Sequence, residues 1–266
     1  MALPNITWDK IGKINIIIGE NSYGKTSLLK AMYSAIKSIE NYKRGDNNES
    51  ISDIISKKLY WTFQSYKIGN LVKKKSANKL EFNLYFDNKL FSYSFGKNTI
   101  KQVLTLKNNI DKCVDNSIFI PSKEILSVYN VILKSRELDK DFGFDDTFFD
   151  IAVAIKRYKI LNNDFLSITE SIQDLINGKI IYSDESRKCF FKNKSNQIFS
   201  IETTADSIKK IGVLDILLSN NYLTTNSIVF IDELESSLHP NALLSFIDII
   251  FKLSNMGNTI LYCNQF

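Results

Sequence analysis

The feature that most constrains the fold of this chain is the octapeptide Gly-Glu-Asn-Ser-Tyr-Gly-Lys-Thr at Gly19–Thr26. It follows Ile14–Ile18, a β-branched run that is apolar apart from Asn15 and typical of a strand buried on both faces. It leads into Thr26–Ile39, where apolar residues recur at helical spacing. The sequence therefore predicts a strand, a glycine-bearing loop and a helix in immediate succession, as in an α/β domain.

The octapeptide has the spacing G-x-x-x-x-G-K-T, and each fixed position suits a bound phosphate group. Gly24 lets the backbone turn so that successive N–H groups face the phosphate, and the following helix presents its positive end to the same charge. Lys25 can reach the β- and γ-phosphates, and the Thr26 hydroxyl can bind Mg²⁺. A chance glycine loop is the alternative, and the flanking strand and helix disfavour it. We therefore predict that ATP and Mg²⁺ bind at Gly19, Asn21, Ser22, Tyr23, Gly24, Lys25, Thr26 and Ser27.

A second motif lies much later in the sequence, where the apolar run Ile228–Ile231 ends in the adjacent carboxylates Asp232 and Glu233. A buried strand that ends in aspartate beside a phosphate loop supplies a Mg²⁺ ligand, directly or through water, and Asp232 suits this role. Glu233 would face the γ-phosphate and polarise the attacking water as general base. The alternative is a solvated acidic turn, which the presence of the phosphate loop disfavours.

Between these motifs the hydrophobic pattern changes several times. Leu80–Phe86 and Phe91–Phe95 alternate apolar and polar residues, which predicts an antiparallel hairpin. Residues from about 124 to 177 carry mostly helical periodicity. A second hairpin is expected at 179–191, and helices are expected at 205–218 and 241–253. Short strands are expected at 118–120, 228–231 and 259–263. We therefore expect one α/β domain over residues 1–266, with a mainly parallel core sheet, an antiparallel β arm and a helical insertion at about 124–177.

The composition is that of an ordinary globular protein, with 44% hydrophobic and 24% charged residues. The net charge of +5 tolerates DNA as a ligand without demanding it. The chain lacks an apolar stretch of about 18 residues, and Met1–Lys10 does not resemble a signal peptide, so we expect a cytoplasmic protein with no membrane partner. Three widely spaced cysteines without a C-x-x-C pair are typical of buried thiols in a reducing compartment.

The pairing of GENSYGKTSLLKAMY at 19–33 with IVFIDELESSLHP at 228–240 resembles the ABC-type ATPases of the SMC and RecF kind. Within this group the chain is similar to stand-alone bacterial AAA-type proteins that are often encoded in anti-phage defence operons. The similarity is patchy but extends from about Lys13 to Asn264. The resemblance implies an ABC-type P-loop ATPase head, ATP hydrolysis, a homodimer with ATP at its interface, and a protein effector encoded nearby, such as a nuclease or toxin.

Further residue roles come only from this resemblance. Gln64 corresponds to the Q-loop glutamine, which touches Mg²⁺ or the attacking water, and Gln265 falls near the switch histidine of the family. The segment that corresponds to the ABC signature, and that would contact the γ-phosphate of the other subunit, is Thr204, Ala205, Asp206 and Ser207. The family usually has glycine at position 207, and glutamine cannot carry a proton as histidine can, so hydrolysis is expected to be slow.

Several alternatives stay open at this stage. The chain could be a DNA-repair or DNA-bridging ATPase, or a nucleotide-gated binding module with little hydrolysis. The insertion is too short and too aromatic at Phe142–Phe149 for a long coiled-coil arm, which favours a compact lobe that senses a protein. The family normally continues beyond the last strand, so a truncated, a split and a minimal chain all remain possible. His239, the lone histidine, suits helix capping or packing at least as well as catalysis, and metal binding is disfavoured.

Overall fold

The structure is a computed structural model that describes residues 5–20, 22–74, 78–111, 113–156 and 164–264. The chain divides into two compact units. Within the described residues, the first unit comprises 5–10 and 19–115, and the second comprises 11–18 and 116–264. The expectation of a single domain over the whole chain stays a prediction.

Ten strands and seven α-helices lie within the described residues. In chain order the strands are β1 (Ile14–Ile17), β2 (Leu80–Phe86), β3 (Lys89–Phe95), β4 (Thr105–Asn108), β5 (Ile118–Ile120), β6 (Gly178–Ser183), β7 (Lys188–Asn193), β8 (Ile198–Ser200), β9 (Ile228–Asp232) and β10 (Thr259–Cys263). The helices are α1 (Lys25–Asn41), α2 (Ile51–Thr62), α3 (Tyr129–Lys134), α4 (Asp146–Ile155), α5 (Leu166–Leu175), α6 (Asp206–Ser219) and α7 (Pro240–Asn255).

The first unit combines α1 and α2 with an antiparallel sheet in the order β2-β3-β4. Strands β2 and β3 form the predicted hairpin, and their turn residues Asp87 and Asn88 have φ of 44° and 64°. Positive φ at both central residues is the geometry of a two-residue turn that matches the twist of its strands. This sheet is the predicted antiparallel β arm.

Helix α2 was not predicted, although its sequence carries a helical signal. Ile54, Ile55 and Leu59 are buried on one face, and the Ser50 side chain caps the helix by accepting a hydrogen bond from the Asp53 N–H. These are the standard marks of a helix start and of an amphipathic face.

The second unit is built on a four-stranded parallel sheet in the order β1-β10-β9-β5. Its centre is apolar: Phe119 and Phe230 on neighbouring strands are fully buried and stack with ring centroids 6.2 Å apart. The predicted mainly parallel core sheet is therefore confirmed.

Strand β1 lies at the edge of this sheet, and Ile16 is 57% exposed. The expectation of a strand buried on both faces is wrong at this residue. An apolar composition does not reveal whether a strand is central or at an edge, and an edge strand has neighbouring strand side chains on one side only.

Helices α3, α4 and α5 fall within the predicted helical insertion, and an antiparallel sheet in the order β6-β7-β8 follows them. The hairpin of β6 and β7 was predicted, whereas β4 and β8 were not. No helix among the described residues is long and apolar enough to cross a membrane.

Candidate functional site

The predicted phosphate loop leads directly into α1. Gly24 immediately precedes the helix with φ 86° and ψ 18°, in the left-handed region that glycine adopts without steric cost. The Leu28 N–H donates to the Gly24 carbonyl at 2.9 Å, which is the first hydrogen bond of the helix. The chain therefore turns sharply at Gly24 and continues at once as a helix of 17 residues.

The start of α1 favours an anion. Its N-cap residue is Gly24, which has no side chain to cap the helix, and its first turn contains no acidic residue. The first N–H groups of any α-helix lack an intrahelical acceptor, and they add to the positive end of the helix dipole. Ser22 and Tyr23 are exposed just before this turn, and Ser27 is buried within it. Such a helix start is a ready site for a phosphate group.

The Lys25 ammonium lies across the loop. Its Nζ donates to the carbonyl oxygens of Gly19, at 2.5 Å, and of Glu20, at 3.0 Å, and the residue is only 9% exposed. The positive charge is thereby held at the first two residues of the octapeptide. An incoming phosphate would offer the same ammonium a charged acceptor in place of neutral carbonyls, and bonds to charged acceptors are stronger.

Gln64 follows α2 in the same unit, with φ 48°. Its Nε2 atom is buried and has no hydrogen-bond partner among the described residues. A buried amide donor without a partner is costly, so this side chain has a donor that a ligand could satisfy.

The acidic pair ends β9 in the second unit. Asp232 is 4% exposed, and its Oδ1 accepts a hydrogen bond from Cys263 Sγ at 2.8 Å. Glu233 leaves the strand in the left-handed region, with φ 49° and ψ 44°, and its N–H donates to the Cys263 carbonyl at 3.0 Å. Strand β9 thus ends at Asp232, and Glu233 lies outside it. The two side chains therefore do not alternate between the faces of the sheet as successive residues within a strand do.

The loop after this pair is linked to β10 and to α6. Tyr262 Oη donates to a Glu235 carboxylate oxygen, and Ser236 Oγ donates to the Glu233 carbonyl at 2.8 Å. Lys210 of α6 approaches Ser236 Oγ at 3.5 Å. Burial lowers the pKa of the Lys210 ammonium, while the charges of Asp206, Glu235 and Glu233 oppose this shift.

His239 caps α7, since its Nδ1 accepts the Asn241 N–H at 3.4 Å. This contact agrees with the capping role considered from the sequence. Pro240 occupies the first helical position, where its missing N–H costs nothing.

The segment that corresponds to the signature lies at the start of α6. Thr204 Oγ1 donates to the Ser200 carbonyl at 3.0 Å, and Ala205 has the extended backbone of a residue that precedes a helix. Ala205 and Asp206 are exposed, and Ser207 is partly exposed. The segment therefore presents a second helix N-terminus to the solvent.

The predicted site residues fall in both units. The phosphate loop and Gln64 belong to the first unit, and the acidic pair and Thr204–Ser207 belong to the second. Asn21 and Gln265 lie outside the described residues. The functional roles assigned to all of these residues stay predictions.

The residues fit Mg²⁺ bound together with a phosphate better than a metal held by protein alone. The described residues contain no group of three or more His, Cys, Asp or Glu side chains that could hold a metal ion. Mg²⁺ is usually bound by one or two carboxylates with waters and substrate phosphates. The buried carboxylate of Asp232, in the second unit, is a side chain of the kind that such a bound Mg²⁺ would take.

Sequence reasoning missed Cys263 and Tyr262 as neighbours of the acidic segment. Their contacts with Asp232 and Glu235 follow from the pairing of β10 with β9, which sets Cys263 opposite Asp232. The only signal in the sequence is that both residues end an apolar run, and that does not reveal which strand lies beside them.

No protein-family model matches the chain. Among solved structures it is similar to an SMC head domain from Thermotoga maritima, with 13% identity over 95% of this chain and 80% of that chain and a TM-score of 0.45. It is also similar to an Smc head domain with an extended coiled coil, bound to the C-terminal domain of ScpA and derived from Pyrococcus furiosus. The identity is 11% over 95% of this chain and 83% of that chain, and the TM-score is 0.49. A dimeric bacterial ABC transporter cassette shows 12% identity over 99% of this chain and 80% of that chain, with a TM-score of 0.40. At such identities the likeness assigns no activity, partner or residue role to this chain.

Proposed function

We propose that this chain is an ABC-type ATPase that binds ATP with Mg²⁺ and hydrolyses it to ADP and phosphate. The observation that carries the proposal is the phosphate loop itself. Gly24 turns in the left-handed region as the N-cap residue of α1, and Lys25 Nζ lies against the carbonyls of Gly19 and Glu20. A cation and a helix start at one loop form a strong binding site for polyphosphate.

The acidic pair supplies the remaining chemistry in this proposal. Asp232 and Thr26 would hold Mg²⁺. Gln64 would touch the ion through its amide oxygen, or the attacking water through its Nε2 donor, which has no partner among the described residues. When bound, Mg²⁺ neutralises charge on the β- and γ-phosphate oxygens. Glu233 accepts a proton from the attacking water as the water oxygen bonds to the γ-phosphorus and the bond to the β–γ bridging oxygen breaks. ADP leaves with the electrons of that bond.

The decisive test separates binding from turnover. Glu233→Gln should bind ATP with an affinity close to that of the wild type but lose turnover by about a hundredfold or more, because an amide does not accept the proton. Binding is measured with a fluorescent ATP analogue, and turnover as released phosphate. Glu170→Gln, on the exposed face of α5, is the matched control. Normal turnover by Glu233→Gln would require another base.

We also propose that ATP joins two copies of the chain, with Thr204–Ser207 of one copy on the γ-phosphate bound to the other. The exposure of Ala205 and Asp206 at the start of α6 supports this proposal. Light scattering on Glu233→Gln should show a doubled mass only with ATP and Mg²⁺. Lys25→Ala, which should bind ATP about 30-fold or more weakly, is the control at an ATP concentration too low to saturate it. An unchanged mass of Glu233→Gln with ATP bound would contradict the dimer.

For the wider role we propose that the ATP-bound dimer regulates an effector protein, such as a nuclease or toxin in phage defence. This part rests on the resemblance of the motif segments alone. Helices α3, α4 and α5 are short, with 6, 10 and 10 residues, and a compact lobe suits protein sensing better than a long arm would. ATP turnover that DNA stimulates in a salt-dependent manner would favour the DNA-repair alternative instead.

A further inference from the structure

We propose that Cys263 is a positioning residue that orients the Asp232 carboxylate for Mg²⁺. The inference rests on the proposed function, since it concerns how the protein prepares one ligand of the metal bound with ATP. It goes beyond the motifs, because no pattern in the sequence assigns a role to this cysteine.

The strand order brings the two residues together. Strand β10 lies between β1 and β9, and its register places Cys263 opposite both Ile17 and Asp232. Cys263 is fully buried, and its Sγ donates to Asp232 Oδ1 at 2.8 Å. The Asn264 N–H donates to the Ile17 carbonyl at 3.1 Å, so the end of β10 is also tied to the strand that precedes the phosphate loop.

Cys263 contacts the two acidic residues through different groups. Its side chain holds Asp232, whereas its main-chain carbonyl accepts the Glu233 N–H at 3.0 Å. A substitution at Cys263 therefore removes the contact with Asp232 and leaves the main-chain contact with Glu233 in place. This separation predicts an effect on Mg²⁺ binding rather than on the position of the proposed base.

The physical reason lies in the burial of the Asp232 carboxylate, which is 4% exposed. A buried carboxylate needs hydrogen-bond donors, and a donor on one oxygen favours one orientation of the group. A thiol is a weak and uncharged donor, so it orients the carboxylate without competing strongly for its charge. Outer partners of this kind commonly change metal affinity by about ten- to a hundredfold when they are removed.

Two substitutions separate the effect of the hydrogen-bond donor at position 263 from the effect of side-chain volume. Cys263→Ser keeps a donor in a smaller side chain, and Cys263→Val keeps the volume without a donor. We expect the Mg²⁺ concentration for the half-maximal gain in ATP affinity to rise about tenfold in Cys263→Val and to stay within about threefold in Cys263→Ser. Binding is followed with a fluorescent ATP analogue, first in EDTA and then across a Mg²⁺ titration. Cys189→Val, at another buried cysteine of the same unit, is the matched control.

The outcomes distinguish a failure of the positioning role of Cys263 from a failure of the proposed function. If Cys263→Val has the Mg²⁺ midpoint of the wild type, or loses affinity equally in EDTA, the positioning role is wrong. If Cys263→Ser shifts as much as Cys263→Val, the thiol acts through packing, and the inference is again overturned. If Cys263→Val does not fold, as judged by thermal unfolding, Cys263→Ala replaces it with the same expectations. A wild-type protein that binds ATP without any Mg²⁺ dependence would instead refute the proposed function, and the inference with it.

Discussion

Replacement of Lys25 by alanine is the sharpest test of the phosphate loop. In the structure Lys25 Nζ makes two hydrogen bonds to neutral carbonyl oxygens, at 2.5 and 3.0 Å. In the proposed complex with ATP, these bonds would be exchanged for bonds to charged phosphate oxygens. A hydrogen bond to a charged group contributes about 1.5–3 kcal/mol, and one between neutral groups about 0.5–1.5 kcal/mol.

The exchange of two such bonds therefore makes the free energy of ATP binding more favourable by about 2 kcal/mol or more. This gain is absent in Lys25→Ala. Since 1.4 kcal/mol corresponds to a factor of about ten, the dissociation constant should rise by about 30-fold or more. The free energy of unfolding should fall by no more than about 1 kcal/mol, because water can solvate the partly exposed carbonyls that Lys25 releases.

The assay is the binding of a fluorescent ATP analogue at fixed salt and Mg²⁺, with thermal unfolding of the same samples as a check on folding. Lys73→Ala, at an exposed lysine of the same unit, is the matched control for the loss of one positive charge. A folded Lys25→Ala variant whose affinity stays within about threefold of the wild type would refute the reasoning, since that difference corresponds to less than about 1 kcal/mol.

Three further predictions concern the second unit. Asp232→Ala should remove most of the Mg²⁺ dependence of ATP binding, and a Mg²⁺ titration that matches the wild type would contradict its role. His239→Ala should lower the free energy of unfolding by about 0.5–1 kcal/mol through loss of the α7 cap, with recovery in His239→Asn, as measured by urea unfolding. Gly257→Ala should destabilise the unit by about 2–3 kcal/mol, because φ is 112° and an added Cβ would lie 2.6 Å from the Thr225 carbonyl oxygen; an unchanged melting temperature would show that the turn relaxes.

Features that depend on neighbours in sequence were predictable. The order of strand, loop and helix around Gly24 follows from apolar periodicity and one glycine, and the β2–β3 hairpin follows from alternation and turn residues. Helix α2 is encoded just as locally, by the Ser50 cap and by isoleucines on one face.

Features that depend on strand order were not predictable. The exposure of Ile16 reflects the edge position of β1, which no local pattern encodes. The central place of β10, between β1 and β9, likewise joins segments from the two ends of the sequence.

The sequence by itself determined the chemical groups and their local geometry: a lysine one residue after a left-handed glycine, a carboxylate pair at the end of an apolar strand, and a histidine at a helix start. These arrangements are local, because a few consecutive backbone angles create them. Only the tertiary structure decided that Cys263 meets Asp232 through its thiol and Glu233 through its carbonyl. That contact depends on which strands pair and in what register, and pairing is selected by the packing of the whole sheet rather than by either segment alone.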